Sequence, residues 1–305
     1  MLTAHLLFWL SLPVMAAIIS CLAVWVVVLI RRRPLVPYQP RPSVPWRLPD
    51  LLVILVFYLA VQGAALWAAG VILGGEALQP QPVYNPDRDR AVHGVARLMA
   101  EGNVWIFVLC LIAVMFVAPV VEEFFFRLLL QGWLEAGEVR RRKRLVTLRR
   151  YLPRGAGPIL LSALLFARLH FRVAGPSLQQ PFLVFLLVSN VIAGLLAVMF
   201  AIAWLRRFVG ATASDFGWDG RWLWADVRLG LWGFLAVAPP IYLLQYALIR
   251  LLPSYLAPDP FTLFFLALVL GFLYFRTHRL APAVVLHAAL NSASVFLWLT
   301  SLIAK

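Results

Sequence analysis

Runs of about twenty apolar residues recur along this chain of 305 residues, at roughly 5–30, 50–74, 104–134, 157–173, 181–205, 226–251, 260–276 and 281–303. A helix of that length crosses the hydrocarbon core of a bilayer. Inside lipid every backbone N–H and C=O needs an internal partner, which leaves helices as the economical way to span. Composition agrees. Hydrophobic residues make up 63% of the chain and charged residues 13%, against about 45–50% and 25% for soluble domains. The expected fold is therefore all-α, a polytopic membrane bundle of eight transmembrane helices. No connecting stretch is long enough to bury a core of its own. Cys21 and Cys110 both sit in apolar runs, so neither a disulfide nor a zinc framework is indicated.

Arginine and lysine give the orientation. The first connection carries Arg31, Arg32, Arg33, Arg41 and Arg47, and the third carries Arg140–Arg144, Arg149, Arg150 and Arg154. The fifth holds Arg206, Arg207, Arg221 and Arg228, and the seventh Arg276 and Arg279. With eight spans these connections share one side, the cytoplasmic side by the positive-inside rule, and both termini lie on the other. The net charge of +14 is thus a topology signal with affinity for anionic lipid head groups, and not a nucleic-acid footprint. The expected partner is the lipid bilayer, that of the cell membrane. Leu6–Ile30 ends at three arginines and reads as a retained helix rather than a signal peptide. A Pro-rich linker follows at Pro34–Pro49. The Trp-rich segment Ser214–Trp224 suits the membrane interface.

Polar residues inside these spans are costly and mark function. Glu122 and Glu123 are followed by Arg127, an i,i+4 partner for Glu123. Glu122 points about 100° away from that pair. Pro119 stands one turn earlier and should kink the helix and free a carbonyl, as should Pro239-Pro240 in the sixth span. His170 ends the segment Phe166–His170, with Arg168 and Arg172 beside it as rim or substrate-facing charges. His287 and Asn291 share one helix face. At 1.5 Å per residue, Glu122, His170, His287 and Asn291 lie roughly 18, 20, 9 and 15 Å from the basic end of their helices, so all four fit one layer. Singly, an intramembrane His or Asn is often an interhelical hydrogen bond, and a carboxylate–histidine set can also be a proton relay.

EEFFFR at Glu122–Arg127, FARLH at Phe166–His170 and HAALN at His287–Asn291 together resemble the CPBP family of intramembrane proteases (CAAX proteases and bacteriocin-processing, or Abi, proteins), marked by Glu-Glu-x-x-x-Arg, Phe-x-x-x-His and His-x-x-x-Asn. The resemblance covers roughly Val104–Phe171 and Pro260–Phe296. It implies two parts, an N-terminal two-helix region with linker and outer loop at 1–103 and a protease core at 104–305. Three spans separate the second and third motifs where the family core has one, which makes helices at about 180–258 extra. The implied activity is an endopeptidase acting near the basic, cytoplasmic face on peptides or membrane-anchored proteins, prenylated tails among them. In that reading Glu122 and His170 activate a water, His287 and Asn291 stabilise the oxyanion, and Glu123 with Arg127 supports Glu122. A metal-independent site is favoured. The alternative is zinc or another divalent ion on Glu122, His170 and His287, the basis on which such proteins are labelled metalloproteases. The rival functions are a non-catalytic membrane binding or immunity factor and a proton-coupled transporter.

Overall fold

The computed structural model describes residues 15–16, 18–27, 30, 36, 38–40, 43–74, 94–101, 103–142, 153–171, 180–218, 220–252 and 259–303. Among them there is no strand; the protein is an all-α polytopic bundle. The helices are α1 (Ile18–Val27), α2 (Leu48–Leu73), α3 (Gly94–Glu101), α4 (Val104–Arg141), α5 (Ala156–Leu169), α6 (Gln180–Val209), α7 (Leu223–Leu251), α8 (Asp259–Thr277) and α9 (Ala281–Ile303). Six of these, α2, α4, α6, α7, α8 and α9, are long and apolar enough to cross a membrane, while α1 and α5 are shorter apolar helices. Among the described residues six of the eight expected spans are full-length helices, α5 covers the fourth, and α1 is the described part of the first. Most of the first expected span, together with Arg172 and the connection arginines 31–33, 41, 144, 149 and 150, lies outside the described residues.

The outer helices show their apolar side chains to the surroundings. On α2 Leu55, Val56, Trp67 and Ile72 are exposed and only Ile54 and Ala69 are buried, the pattern of a helix that faces lipid. The most enclosed helix is α8, which packs against α5, α7 and α9. On α6 the small residues Ala193, Gly194, Ala197 and Ala201 are buried at helical spacing. Such a stripe lets neighbouring backbones approach closely. A Cβ on Gly194 would stand 3.1 Å from Val121, one residue before Glu122.

Proline does not interrupt α7. Of the break or kink expected there, no break occurs: the helix runs on through Pro239 and Pro240. Pro240 has no N–H for the carbonyl of Ala236 four residues back. That oxygen instead accepts hydrogen bonds from Cys21 Sγ at 3.3 Å and Trp25 Nε1 at 3.2 Å, both on α1. The helix survives because a neighbour supplies the lost donor.

The linker between α1 and α2 straps the arginine-rich end. Gln39 donates its backbone N–H to Arg276 O at 2.8 Å, and its side-chain oxygen accepts from Arg279. Arg276 Nε donates to Val36 O at 2.7 Å. Arg279 is also paired with Asp226 of α7 at 2.7 Å. Trp46 is buried, stacks on Phe216 of the Trp-rich segment, and donates from Nε1 to Leu129 O at 3.1 Å. Trp218, Trp222 and Trp224 of that segment are exposed.

Candidate active site

α4 is built in registers that loosen around the acids. Asn103 caps its start, its Oδ1 accepting from the backbone N–H groups of Trp105 and Ile106 at 3.1 Å each. Ala113–Val117 and Phe124–Gln131 are π-helical, and Ala118–Glu123 between them is α-helical. Such wide turns recur at functional sites. Ala118 donates to Ala113 O, five residues back. In that register Pro119 would serve Val114 O, and it has no N–H to give. Asn291 Nδ2 takes the place, donating to Val114 O at 2.9 Å. The carbonyl freed by Pro119 thus ties the third motif to the first.

The acids have different neighbours. Glu123 is fully buried, accepting from Arg127 Nε at 3.0 Å on one oxygen and facing His287 Nδ1 at 2.9 Å on the other. Arg127, also fully buried, donates from Nη1 to Ser162 Oγ at 2.9 Å. Ser162 in turn donates to Phe126 O at 3.0 Å, a carbonyl within the wide second π turn. Arg127 Nη2 has no hydrogen-bond partner among the described residues. The guanidinium lies 5.4 Å from the centroid of Phe166, within cation–π range.

Glu122 meets both histidines. One carboxylate oxygen lies 3.8 Å from His170 Nε2 and the other 3.8 Å from His287 Nε2. His170 follows the last residue of α5, so the helix delivers its ring where the backbone leaves helical geometry. Its Nδ1 stands 2.8 Å from Phe166 O. A carbonyl only accepts, so His170 carries a proton on Nδ1 and presents Nε2 to Glu122. His287 Nδ1 likewise faces an acceptor, Glu123. Phe166 packs between the rings, 4.5 Å from His170 and 6.0 Å from His287 by centroid.

Glu122, His170, His287 and Asn291 line one cavity of about 660 Å³. α6 contributes Asn190 and Gly194 to its wall and α7 contributes Ile241 and Gln245, so the helices beyond the expected compact core enclose the site. Arg168 is exposed on the outer face of α5, over the Phe171 ring, and is not among the lining residues. Two imidazoles and a carboxylate are donor types that zinc accepts. Yet among the described residues no three His, Cys, Asp or Glu side chains close around a point a metal ion would occupy. Sequence reasoning missed Ser162 and the part played by Phe166. The spacing Ser162, Phe166, His170 is a period-four signal that puts all three on one face of α5.

No curated protein and no solved structure matches the chain. Residues 103–220, which carry the acidic helix and the first two motifs, match the family model described as type II CAAX prenyl endopeptidase Rce1-like, in agreement with the CPBP/CAAX protease resemblance that the three motifs carry.

Proposed function

We propose that the protein is an intramembrane endopeptidase whose nucleophile is a water held by Glu122 and His170. The observation that carries this reading is the pair of 3.8 Å separations from Glu122 to the two Nε2 atoms in the wall of one half-open cavity. Such a gap is too long for a direct hydrogen bond. It suits a bridging water about 2.8 Å from each group. Glu122 takes one proton of that water as its oxygen attacks the peptide carbonyl carbon, and His170 Nε2 orients the other hydrogen. The oxyanion so formed accepts from His287 Nε2–H and from the second amide hydrogen of Asn291. In that role His287 carries protons on both nitrogens, Nδ1–H toward Glu123 and Nε2–H toward the cavity. Glu122 then passes its proton to the leaving nitrogen as the C–N bond breaks. Glu123, Arg127 and Ser162 hold this arrangement from behind and touch no substrate.

A zinc reading has the two imidazole Nε2 atoms and the Glu122 carboxylate in its favour. Bound there, the ion would polarise the carbonyl and acidify the water. We favour the metal-independent route because Asn291, the fourth polar group of the set, is a good oxyanion donor and a poor zinc ligand. Activity that survives a strong chelator and is not raised by added zinc supports it. The substrate class follows from the family description and the buried site: a peptide or membrane-anchored protein cleaved within the bilayer.

The deciding experiment incubates purified protein in lipid nanodiscs with a peptide library and reads cleavage by mass spectrometry. Glu122→Gln and His170→Ala should each lower cleavage by about 10²–10⁴-fold with the helical circular-dichroism signal unchanged. Full activity in either variant rejects the assignment. A binding or immunity factor would show no cleavage in any form. A proton-coupled transporter would show flux in liposomes that Glu122→Gln removes.

A further inference from the structure

The cavity lies to one side of the Glu122 layer, and the helices that wall it say which side. On α4 the lining residues run from Ala113 to Val121, all before Glu122, whereas Arg140 and Arg141 end the helix. On α9 Ser294 and Trp298 line the cavity beyond His287, whereas Arg279 precedes the helix. On α8 Asp259 and Thr262 line it in the first turn, whereas Arg276 stands in the last. On α7 the lining residue Gln245 is near the end remote from Arg221. Four antiparallel helices agree. The cavity extends from the two histidines away from the arginine-rich connections, toward the end where α7 carries Arg250 in its last turn. From His287 to Trp298 it measures about 16 Å at 1.5 Å per residue.

The opposite direction is filled. Phe166, Leu128, Gln131, Leu270 and Tyr274 are fully buried on the arginine side of the layer. Beyond them the strap holds the end of the bundle through Gln39 and Trp46. A separate cavity of about 110 Å³ lies there, between Tyr38, Glu135, Arg154 and His278. It shares no lining residue with the large one.

We infer that substrate reaches Glu122 from the face opposite the arginine-rich connections, through a mouth rimmed by Gln245, Asp259 and Ser294. Arginine-rich connections stay in the cytoplasm, so this face is extracytoplasmic. Resting on the endopeptidase reading, the substrate class is then the extracytoplasmic segment of an exported or membrane-anchored protein. It enters past a polar rim, where Gln245 donates to Asp259 at 3.1 Å, into walls formed by Val114, Val117, Leu266 and Leu290. Among the described residues no cavity joins the arginine-rich face to the acids.

The test is thiol accessibility in the full chain, in a background with Cys21→Ala and Cys110→Ala. Gln245→Cys and Ser294→Cys report the mouth, and Arg141→Cys reports the arginine face. Each is treated with a membrane-impermeant sulfonated maleimide in spheroplasts and in inverted vesicles. Both mouth positions should label at least five-fold more in spheroplasts, and Arg141→Cys at least five-fold more in inverted vesicles. Mouth positions that label together with Arg141→Cys, or that resist the reagent in both preparations, overturn the inference. The readout needs no catalysis. An inactive protein with the expected labelling loses the endopeptidase reading and keeps the route; an active one with reversed labelling does the opposite.

Discussion

Asn291 carries the sharpest residue-level question, because it already has one partner. Its amide donates to the carbonyl freed by Pro119, so helix–helix attachment alone would account for it. Replacing it by leucine should cost about 1–2 kcal/mol of stability through the unpaired Val114 carbonyl, read by thermal unfolding in nanodiscs. If its second N–H also serves the oxyanion, kcat falls by about 10²–10³-fold while KM stays. A stability loss with unchanged kcat would reduce Asn291 to an attachment point. Glu123 and Arg127 belong to another regime. Both are fully buried, and Arg127→Leu leaves Glu123 and its contact to His287 without the guanidinium. Breaking such a pair from one side costs about 3–5 kcal/mol, so the variant should be recovered in poor yield and unfold early. The residues proposed for the chemistry, Glu122, His170, His287 and Asn291, stand out in the sequence because ionisable and amide groups are rare in oily helices. Ser162 and Phe166 are not, since serine and phenylalanine are ordinary there. Their roles exist only once Arg127 arrives from another helix.

Among elements, the two proline sites show what local rules read well and what they leave open. That Pro119 and Pro240 free carbonyls follows from the ring itself. Which group answers does not: Asn291 sits 177 residues away in one case, and Cys21 and Trp25 more than 200 residues away in the other. Pro240→Ala should return an N–H to Ala236 O and so weaken the hold on α1. Hydrogen exchange should then rise in α1 while α7 becomes better protected; unchanged α1 exchange would show that other contacts hold it. Glycine sets the contact between α7 and α9. A Cβ on Gly230 would fall 2.7 Å from Val285 Cβ and 2.8 Å from Pro282 O. Backbone there has little room to move, so Gly230→Ala should destabilise by about 1–3 kcal/mol, measured as a lower midpoint on thermal unfolding. At the milder Gly194 the neighbour is the side chain of Val121, and alanine there should tilt Glu122 and lower activity more than stability.

For the molecule as a whole, apolar run lengths were enough to read an all-α membrane bundle, because hydrocarbon thickness fixes helix length. Run length does not show where a helix stops. The fourth run continues to residue 173, but α5 ends at Leu169 with His170 turning into the cavity. The region at about 180–258 had no role in the sequence reading, as its lining residues are mostly apolar and carry no motif. Three-dimensionally it closes the chamber through α6 and α7. A chain lacking that region would leave the acids open to lipid, and peptide cleavage should be lost even with all three motifs present.

The bond between Trp25 and Ala236 also has a schedule. Its two ends are 211 residues apart, and ribosomes add about 5–20 residues per second. For roughly 10–40 s of synthesis the first helix therefore sits in the bilayer before its acceptor has been made. Until the proline-bearing helix arrives, that indole and thiol lack the acceptor they meet in the finished bundle.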